Sequence, residues 1–306
     1  TIAEFVMYIN MLTWPIASVG WITAMMQRAG ASQKRLNEFL DVVPQIKNTS
    51  PKHFEFCGNI SFQNVNFAYP HSGIKALNNI SFEVSEGEKI LILGKTGSGK
   101  STIGQLIMRL YNSSSGSILI EGENISDINL NELRKQCGYV PQDVFLFSDT
   151  VENNISFGTP TASSHEIEIA SKNAAVFDEI KSLPDGFKTL IGERGVTLSG
   201  GQKQRVSLAR AFIKNPKVMI LDDCLSALDA ATEQTITQFL KNDLQKRTAI
   251  IITHRIPASI QFDKILVMEN GSIVEEGNHH QLISIESYYK NIWQKQLHEQ
   301  VTPASD

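Results

Sequence analysis

Eight consecutive residues in the first third of the chain have the types and spacing of a phosphate-binding loop. They fit the pattern G-x-x-x-x-G-K-[ST] and are Gly94, Lys95, Thr96, Gly97, Ser98, Gly99, Lys100 and Ser101. Glycines let backbone N–H groups curve around phosphate oxygens, and the amino end of a following helix adds partial positive charge. Lys100 is expected to reach the β- and γ-phosphates, and the Ser101 hydroxyl is a suitable ligand for Mg²⁺. The loop therefore predicts ATP binding and, with a suitable base nearby, ATP hydrolysis.

Two consecutive aspartates supply the candidate acidic groups. Asp222 and Asp223 come directly after the apolar residues 218–221, which have the length of a buried strand. Ligands of open α/β sheets bind at the carboxyl ends of the strands. Asp222 suits coordination of Mg²⁺ through water, and Asp223 is a candidate general base that polarises the attacking water. An isolated Asp-Asp pair is usually a solvated turn, but the preceding strand and the phosphate loop favour a site.

Short apolar runs alternate with helical stretches over most of the chain, which predicts an α/β fold with a mostly parallel sheet. The predicted strands are residues 60–69, 80–84, 89–93, 218–221, 249–252 and 265–268. The phosphate loop follows the third of these and precedes a predicted helix over residues 101–111. The last helix is predicted over residues 286–297.

Residues 5–26 form a stretch without formal charge, and this stretch is long enough to cross a bilayer as a helix. Trp14 and Trp21 suit a membrane interface, whereas Asn10 and Pro15 weaken the prediction, and a buried helix of a soluble domain is the alternative. Arg28 is the first of several basic residues after this stretch, which favours a cytoplasmic location for its carboxyl end. Because the chain begins without Met, we expect it to be a fragment that lacks an upstream part.

The composition is that of a folded protein, with 42% hydrophobic and 20% charged residues among 306. The net charge of −4 and the absence of a basic run do not favour a nucleic-acid partner. The three cysteines are far apart and lack metal-ligand spacing, so we interpret Cys57, Cys137 and Cys224 as reduced thiols.

A second motif indicates a family more specifically than the phosphate loop does. LSGGQKQR begins at Leu198 and is followed by VMILDDCLSALD, and together these resemble the ATP-binding cassette (ABC) transporter family. The resemblance extends from about Phe56 to Trp293 and implies a P-loop NTPase fold. That fold has a RecA-like, mostly parallel sheet core, an antiparallel β subdomain and an α-helical subdomain, preceded here by a transmembrane-type helix.

The resemblance also implies roles for individual residues. Tyr69 is expected to stack on adenine, and Gln142 is expected to contact Mg²⁺ and couple to the membrane domain. His254 resembles the switch histidine near the γ-phosphate, Asp229 belongs to the SALD loop, and TLIGERG at residues 189–195 resembles a loop of exporters. The expected nucleotide contacts beyond Tyr69 and the phosphate loop are Thr102, Ser199, Gly200, Gly201 and Gln202.

In such a transporter two cassettes pair head to tail, with ATP between the phosphate loop of one and the LSGGQ segment of the other. We therefore expect a second half-transporter as partner, a membrane domain belonging to this chain, and a drug, lipid or peptide as cargo. The implied location is the plasma or inner membrane with the cassette in the cytoplasm. On this basis the expected domains are residues 1–30 for the last membrane helix, 31–55 for a linker, 56–298 for the cassette and 299–306 for a tail.

The chain departs from the family at Asp223, where Glu is usual. Asp is shorter by one methylene, and misplacement by roughly an ångström can cost about 10²-fold in rate. The site is then a slower one assisted by His254, a degenerate one that binds ATP but turns it over poorly, or one compensated by a shifted backbone. We favour the second, because in exporters resembling this one an Asp here is typical of one subunit of a heterodimer.

Two other function classes remain open at this point. One is a soluble cassette ATPase, against which the apolar segment 5–26 and TLIGERG argue. The other is an ATP-binding regulatory subunit without turnover, for which Asp223 is the sequence feature.

Overall fold

The computed structural model describes residues 2–48, 50–51, 53–226, 228–244, 247–257 and 260–301. The chain forms two compact units, Thr1–Lys47 and Asn48–Asp306. The second unit therefore begins before Phe56, and Phe54 and Phe56 are both buried in it.

The first unit contains helix α1, Ile2–Leu40, which has no buried residue. At about 1.5 Å per residue its 39 residues extend for about 58 Å. Hydroxyl groups within the helix donate to backbone carbonyls of the preceding turn, as Thr13 does to Ile9 and Thr23 does to Val19. Among the described residues it is the one helix long and apolar enough, by length and composition, to cross a membrane.

The second unit contains two sheets, which confirms the predicted α/β class. An antiparallel sheet has the strand order β2-β1-β4-β5, with β1 Ile60–Ala68, β2 Lys75–Val84, β4 Ser115–Ile120 and β5 Glu123–Asn124. The central sheet has the order β10-β9-β3-β8-β7-β6. Its strands are β3 Lys89–Gly94, β6 Cys137–Val140, β7 Val218–Asp222, β8 Thr248–Thr253, β9 Lys264–Glu269 and β10 Ser272–Gly277. All pairings in it are parallel except β10 with β9.

Helices cover the central sheet and form a separate helical region. They are α2 Lys100–Ile107, α3 Leu130–Gln136, α4 Val151–Ser156, α5 Ser164–Asn173, α6 Phe177–Lys181, α7 Gly200–Phe212, α8 Ala230–Asp243, α9 His279–Ser284 and α10 Tyr288–Val301. Helices α4, α5 and α7 pack on one another. The alternation along β3 divides the core between the two faces of the central sheet: Leu91 and Leu93 pack with the helical region, and Ile90 and Ile92 with the antiparallel sheet.

The bounds of two helices differ from the prediction. Helix α2 stops at Ile107 rather than at residue 111, because Arg109 takes a left-handed φ of 47°. Leu110 N–H then donates to Gln105 O and Arg109 N–H to Leu106 O, the pairing of a Schellman cap. Helix α10 begins at Tyr288, later than predicted, and it continues to Val301.

Candidate functional site

The phosphate loop lies between a buried strand and a helix. β3 ends at Gly94 and α2 begins at Lys100, so residues 95–99 turn the chain over the carboxyl edge of the central sheet. Gly97 and Gly99 have left-handed φ values of 82° and 94°, which side chains other than glycine adopt at a cost. A Cβ at Gly99 would also collide with the carbonyl oxygen of Ala76. The loop therefore requires glycine for its conformation and for its close packing.

Lys100 is held inside this loop. Its Nζ donates to the carbonyl oxygens of Gly94 and Lys95, each at 2.7 Å, and its residue is 8% exposed. Burial lowers the pKa of Lys100, while the nearby carboxylates of Asp223 and Asp222 act in the opposite direction. The ammonium group is thus pre-positioned by backbone carbonyls, which suits a group that binds phosphate as a point charge.

Ser101 and Asp222 meet at the same edge. Ser101 Oγ donates to Asp222 Oδ1 over 2.9 Å, although the two residues are 121 positions apart in sequence. Asp222 is 2% exposed; burial raises its pKa to about 6, and the Ser101 hydrogen bond opposes the rise. A hydroxyl and a carboxylate beside the Gln142 amide are oxygen ligands of the kind that Mg²⁺ takes. The donor set therefore fits this cation.

Asp223 is tied to the end of β8. Its backbone has a left-handed φ of 46°, and its N–H donates to Ile252 O over 2.7 Å. Thr253 Oγ1 donates to Asp223 Oδ1 at 3.2 Å, and His254 Nδ1 lies 3.1 and 3.2 Å from the two carboxylate oxygens. Because a carboxylate only accepts, Nδ1–H is the donor, and only Nε2 of His254 can face a phosphate.

Tyr69 lies beside the helix that follows the phosphate loop. Its hydroxyl is 2.9 Å from Thr102 Oγ1 and donates to Gln105 Oε1 over 3.0 Å. Its ring packs edge-on against Phe67 and Tyr111, with centroid distances of 5.0 and 5.5 Å. In this conformation Tyr69 is bound to Thr102, another predicted nucleotide contact.

One cavity brings most of the predicted residues together. It is lined, among others, by Tyr69, Thr96, Gly97, Gly99, Lys100, Ser101, Thr102, Gln142, Asp222, Asp223 and His254. Gly94, Lys95 and Ser98 belong to the same loop. Of the described residues predicted to bind nucleotide, the LSGGQ residues Ser199, Gly200, Gly201 and Gln202 do not line this cavity. The phosphate loop and LSGGQ of one chain therefore form separate surfaces.

The LSGGQ segment forms the amino end of α7. Ser199 is the N-cap: its Oγ accepts from Gln202 N–H at 3.2 Å, and its own N–H donates to Gln202 Oε1 at 2.9 Å. A Cβ at Gly200 would meet no atom within 4 Å, so this turn is open to its surroundings. Gln202 Nε2 donates to Glu179 Oε2, so both polar atoms of the Gln202 side-chain amide have a partner within the protein.

The segment after Gln142 pairs with the TLIGERG loop. Ile191 N–H donates to Asp149 O and Val151 N–H donates to Thr189 O, each at 3.1 Å. An exposed aromatic patch lies next to this pairing and consists of Phe145, Phe147 and Phe157, at 52%, 39% and 57% exposure. The Phe147 and Phe157 rings stack with centroids 4.4 Å apart, and the Arg210 guanidinium lies 5.8 and 5.7 Å from those two centroids.

Comparison with known proteins places these features in one family. The ABC transporter profile matches residues 77–226. The Bacillus subtilis protein YknU, an uncharacterized ABC transporter ATP-binding protein, is 41% identical over 302 residues, which is 97% of this chain and 51% of YknU. The Escherichia coli multidrug resistance-like ATP-binding protein MdlA is 39% identical over 96% of this chain and 50% of its own length. The solved structure of a bacterial Atm1-family ABC exporter with ATP bound matches with a TM-score of 0.84 and 34% identity, over 98% of this chain and 52% of that one.

The chain belongs to the ABC transporter family. Its cassette is of the exporter type, it binds ATP, and it belongs to a family of ATPases. The chain spans about half the length of the curated relatives that it matches.

Sequence reasoning missed three residues of the ABC cassette that contact the predicted ones. Thr253 directly precedes His254 at the end of a strand. That position could have indicated that Thr253 lies near Asp223. Tyr139, three residues before Gln142, is close to Asp222, and burial followed by that carboxylate raises the pKa of its hydroxyl. Glu179 lies on α6, well before LSGGQ in the sequence, and no pattern in the sequence connects it with Gln202.

Proposed function

We propose that this chain contains the last membrane helix and the ATP-hydrolysing cassette of an exporter half-transporter. Its cargo would be a drug, a lipid or a peptide. The observation that carries the proposal is the convergence of Lys100, Ser101 and Asp222 at one sheet edge in a chain of this family. The phosphates of ATP would bind residues 94–102, and adenine would stack on Tyr69 once its hydroxyl releases Thr102.

Hydrolysis needs a cation and a base at this edge. Ser101, Asp222 and Gln142 would hold Mg²⁺, which when bound offsets the negative charge of the β- and γ-phosphates. Asp223 would accept a proton from the attacking water, and Thr253 and His254 Nδ1–H would hold its carboxylate. His254 would lie near the γ-phosphate.

LSGGQ would act on the ATP of a second cassette. Ser199 and the backbone N–H groups of Gly200 and Gly201 lie at the amino end of α7, which has the geometry and partial charge for binding phosphate. They do not line the cavity of their own chain. A head-to-tail pair would bring them to the partner's γ-phosphate, and hydrolysis would then loosen the pair.

The partner would be a different half-transporter. Asp223 is shorter than the usual Glu and is already bound by Thr253 and His254, which favours slow turnover at this site. The intact LSGGQ would complete an efficient site whose Glu belongs to the partner. If turnover at Asp223 is absent altogether, this cassette is an ATP-binding regulatory subunit.

The membrane location rests on α1. The apolar stretch 5–26 would span the bilayer, and Arg28, Lys34 and Arg35 would place its carboxyl end, and the cassette, in the cytoplasm. The aromatic patch and the TLIGERG loop would contact the membrane domain, because they lie next to the Gln142 segment that senses the phosphates.

The test uses the full-length gene product, purified in detergent with its partner and returned to lipid. Lys100→Ala is expected to weaken photolabelling of this chain by 8-azido-ATP at least about tenfold, because it removes the buried cation of the loop. Lys217→Ala, at an exposed lysine, is the matched control. Equal labelling of Lys100→Ala and wild type would show that ATP does not bind here.

A further inference from the structure

The amino end of α7 is held by one carboxylate that belongs to α6. Glu179 Oε1 and Oε2 accept from the Arg205 guanidinium at 2.6 and 2.9 Å. Oε2 also accepts from Gln202 Nε2 at 2.9 Å. Arg205 Nε in turn donates to Gly201 O at 3.2 Å. Glu179 therefore contacts the LSGGQ turn twice, directly through Gln202 and indirectly through Arg205.

The Arg205 partner of this network is nearly buried. The Arg205 side chain is 8% exposed and Glu179 is 42% exposed, and the guanidinium meets the carboxylate in the two-point geometry that fixes orientation as well as distance. Arg205 also donates to Ala175 O at 2.8 Å, which leaves Glu179 as the anion that balances its charge. Without that anion a nearly buried cation would lack its ionic partner.

The chain of hydrogen bonds ends at the groups that would face the partner's phosphate. Glu179 fixes the amide of Gln202, so that Gln202 Oε1 accepts from Ser199 N–H and Gln202 N–H donates to Ser199 Oγ. Because Ser199 Oγ accepts from Gln202 N–H through a lone pair, the O–H of Ser199 is still able to donate. The direction of that O–H and of the first N–H groups of α7 depends on this cap.

We propose that Glu179 is a positioning residue for the reaction in the partner's ATP site. It holds Gln202 and Arg205 so that Ser199 and Gly201 keep their donors in place for the γ-phosphate. The inference rests on the proposed pairing of two cassettes. Glu179 acts on the reaction only through Gln202 and Arg205.

The experiment measures ATP turnover of the full-length transporter, purified with its partner, for Glu179→Gln. This isosteric change is expected to lower kcat/KM about tenfold, the loss that goes with roughly one charge-assisted hydrogen bond. Photolabelling of this chain by 8-azido-ATP is expected to stay within about twofold of wild type, because the phosphate loop is a separate surface. Asp178→Asn is the matched control, since Asp178 is the exposed preceding carboxylate of the same helix.

A double-variant cycle distinguishes positioning from general stability. If Glu179 acts through Gln202, Glu179→Gln combined with Gln202→Ala loses clearly less than the product of the two single losses. Multiplied losses, or turnover of Glu179→Gln equal to wild type, would overturn the inference. So would a loss of this chain's own ATP labelling in parallel with turnover. Gly201→Asp distinguishes failure of this inference from failure of the proposed function. If Gly201→Asp leaves turnover intact, the proposed cassette pairing itself is wrong.

Discussion

Asp223 illustrates how one methylene group bears on the chemistry of the site. Its carboxylate is 15% exposed and is bound on one side by Thr253 Oγ1 and His254 Nδ1. A left-handed φ of 46° and a hydrogen bond to Ile252 O fix the backbone that carries it. The side chain therefore has little freedom to extend toward an attacking water, and its length limits its reach.

Asp223→Glu is expected to raise the ATP turnover of the assembled transporter by up to about twofold, because it would add a second working site to the partner's efficient one. The added methylene advances the carboxylate by roughly an ångström, and a shift of that size can change a rate by up to about 10²-fold. The measurement is phosphate release from the lipid-reconstituted full-length protein with its partner. Asp223→Asn, which cannot act as a base, serves as the opposite control, and unchanged or lower turnover with Glu would show that carboxylate length does not limit this site.

The residues that the sequence predicts best are those with short-range patterns. Lys100 and Ser101 follow a strand and a glycine turn, and Asp222 follows another strand, so their meeting at one edge follows from parallel strand order. The contact of Glu179 with Gln202 instead depends on how α6 packs against α7. That packing is a tertiary property, and no local pattern in the sequence specifies it.

At the scale of elements, a distant side chain helps to set one helix start that the sequence does not predict. Helix α10 begins where Glu275 of β10 accepts from the N–H groups of Tyr288 and Tyr289 and where Ser287 Oγ accepts from Lys290 N–H. The buried strands β7 and β8 lie within one residue of their predicted ends, because continuous apolar runs fix them locally.

Glu121 likewise fixes a backbone segment by accepting hydrogen bonds from N–H groups. Here the segment is the one that enters the antiparallel sheet. It lies in the turn between β4 and β5, and its Oε1 accepts from the backbone N–H groups of Cys57, Gly58 and Asn59 at 2.7–2.9 Å. Burial acts to raise the pKa of Glu121, but hydrogen bonds from Asn59, Gly58 and Cys57 outweigh it and lower the pKa. The ionised carboxylate therefore stabilises the folded state.

Glu121→Gln is expected to lower the melting temperature of the detergent-solubilised chain by about 2–6 °C at pH 7, through loss of charge-assisted hydrogen bonds of about 1 kcal/mol each. Because the pKa is lower in the folded state, the contribution of Glu121 is present above its unfolded pKa. It is lost as the pH falls through the folded value.

The difference between wild type and Glu121→Gln should therefore shrink at pH 4 and below, as read by differential scanning fluorimetry across pH. Glu123→Gln, at the exposed carboxylate two residues on, is the control and should match wild type throughout. A difference that is independent of pH would mean that the carboxylate charge does not contribute.

At the scale of the whole molecule, two segments of the chain are unequally equipped for ATP hydrolysis. They are the phosphate loop with Asp223 and the LSGGQ segment. The phosphate loop is intact and pre-positions Lys100, but the base proposed for it is the short Asp223. LSGGQ is intact and firmly capped through Ser199 and Gln202. In a head-to-tail pair, this chain would supply a sound LSGGQ to its partner and a slow base to itself.

This asymmetry predicts unequal effects of two substitutions in the same chain. Gly201→Asp is expected to reduce turnover of the assembled transporter more than about tenfold, because it places a carboxylate against the phosphate of the partner's efficient site. Lys100→Ala is expected to leave turnover within about twofold of wild type while it weakens ATP labelling of this chain at least about tenfold, because the slow site would contribute little to the total rate. Both are measured on the same lipid-reconstituted preparation. Equal losses from the two substitutions, or a homodimer of this chain alone turning over at the full rate, would contradict the division of labour between two different subunits. The turnover ratio of Lys100→Ala to Gly201→Asp thus reads out which site limits the rate, because each substitution removes a different one of the two sites.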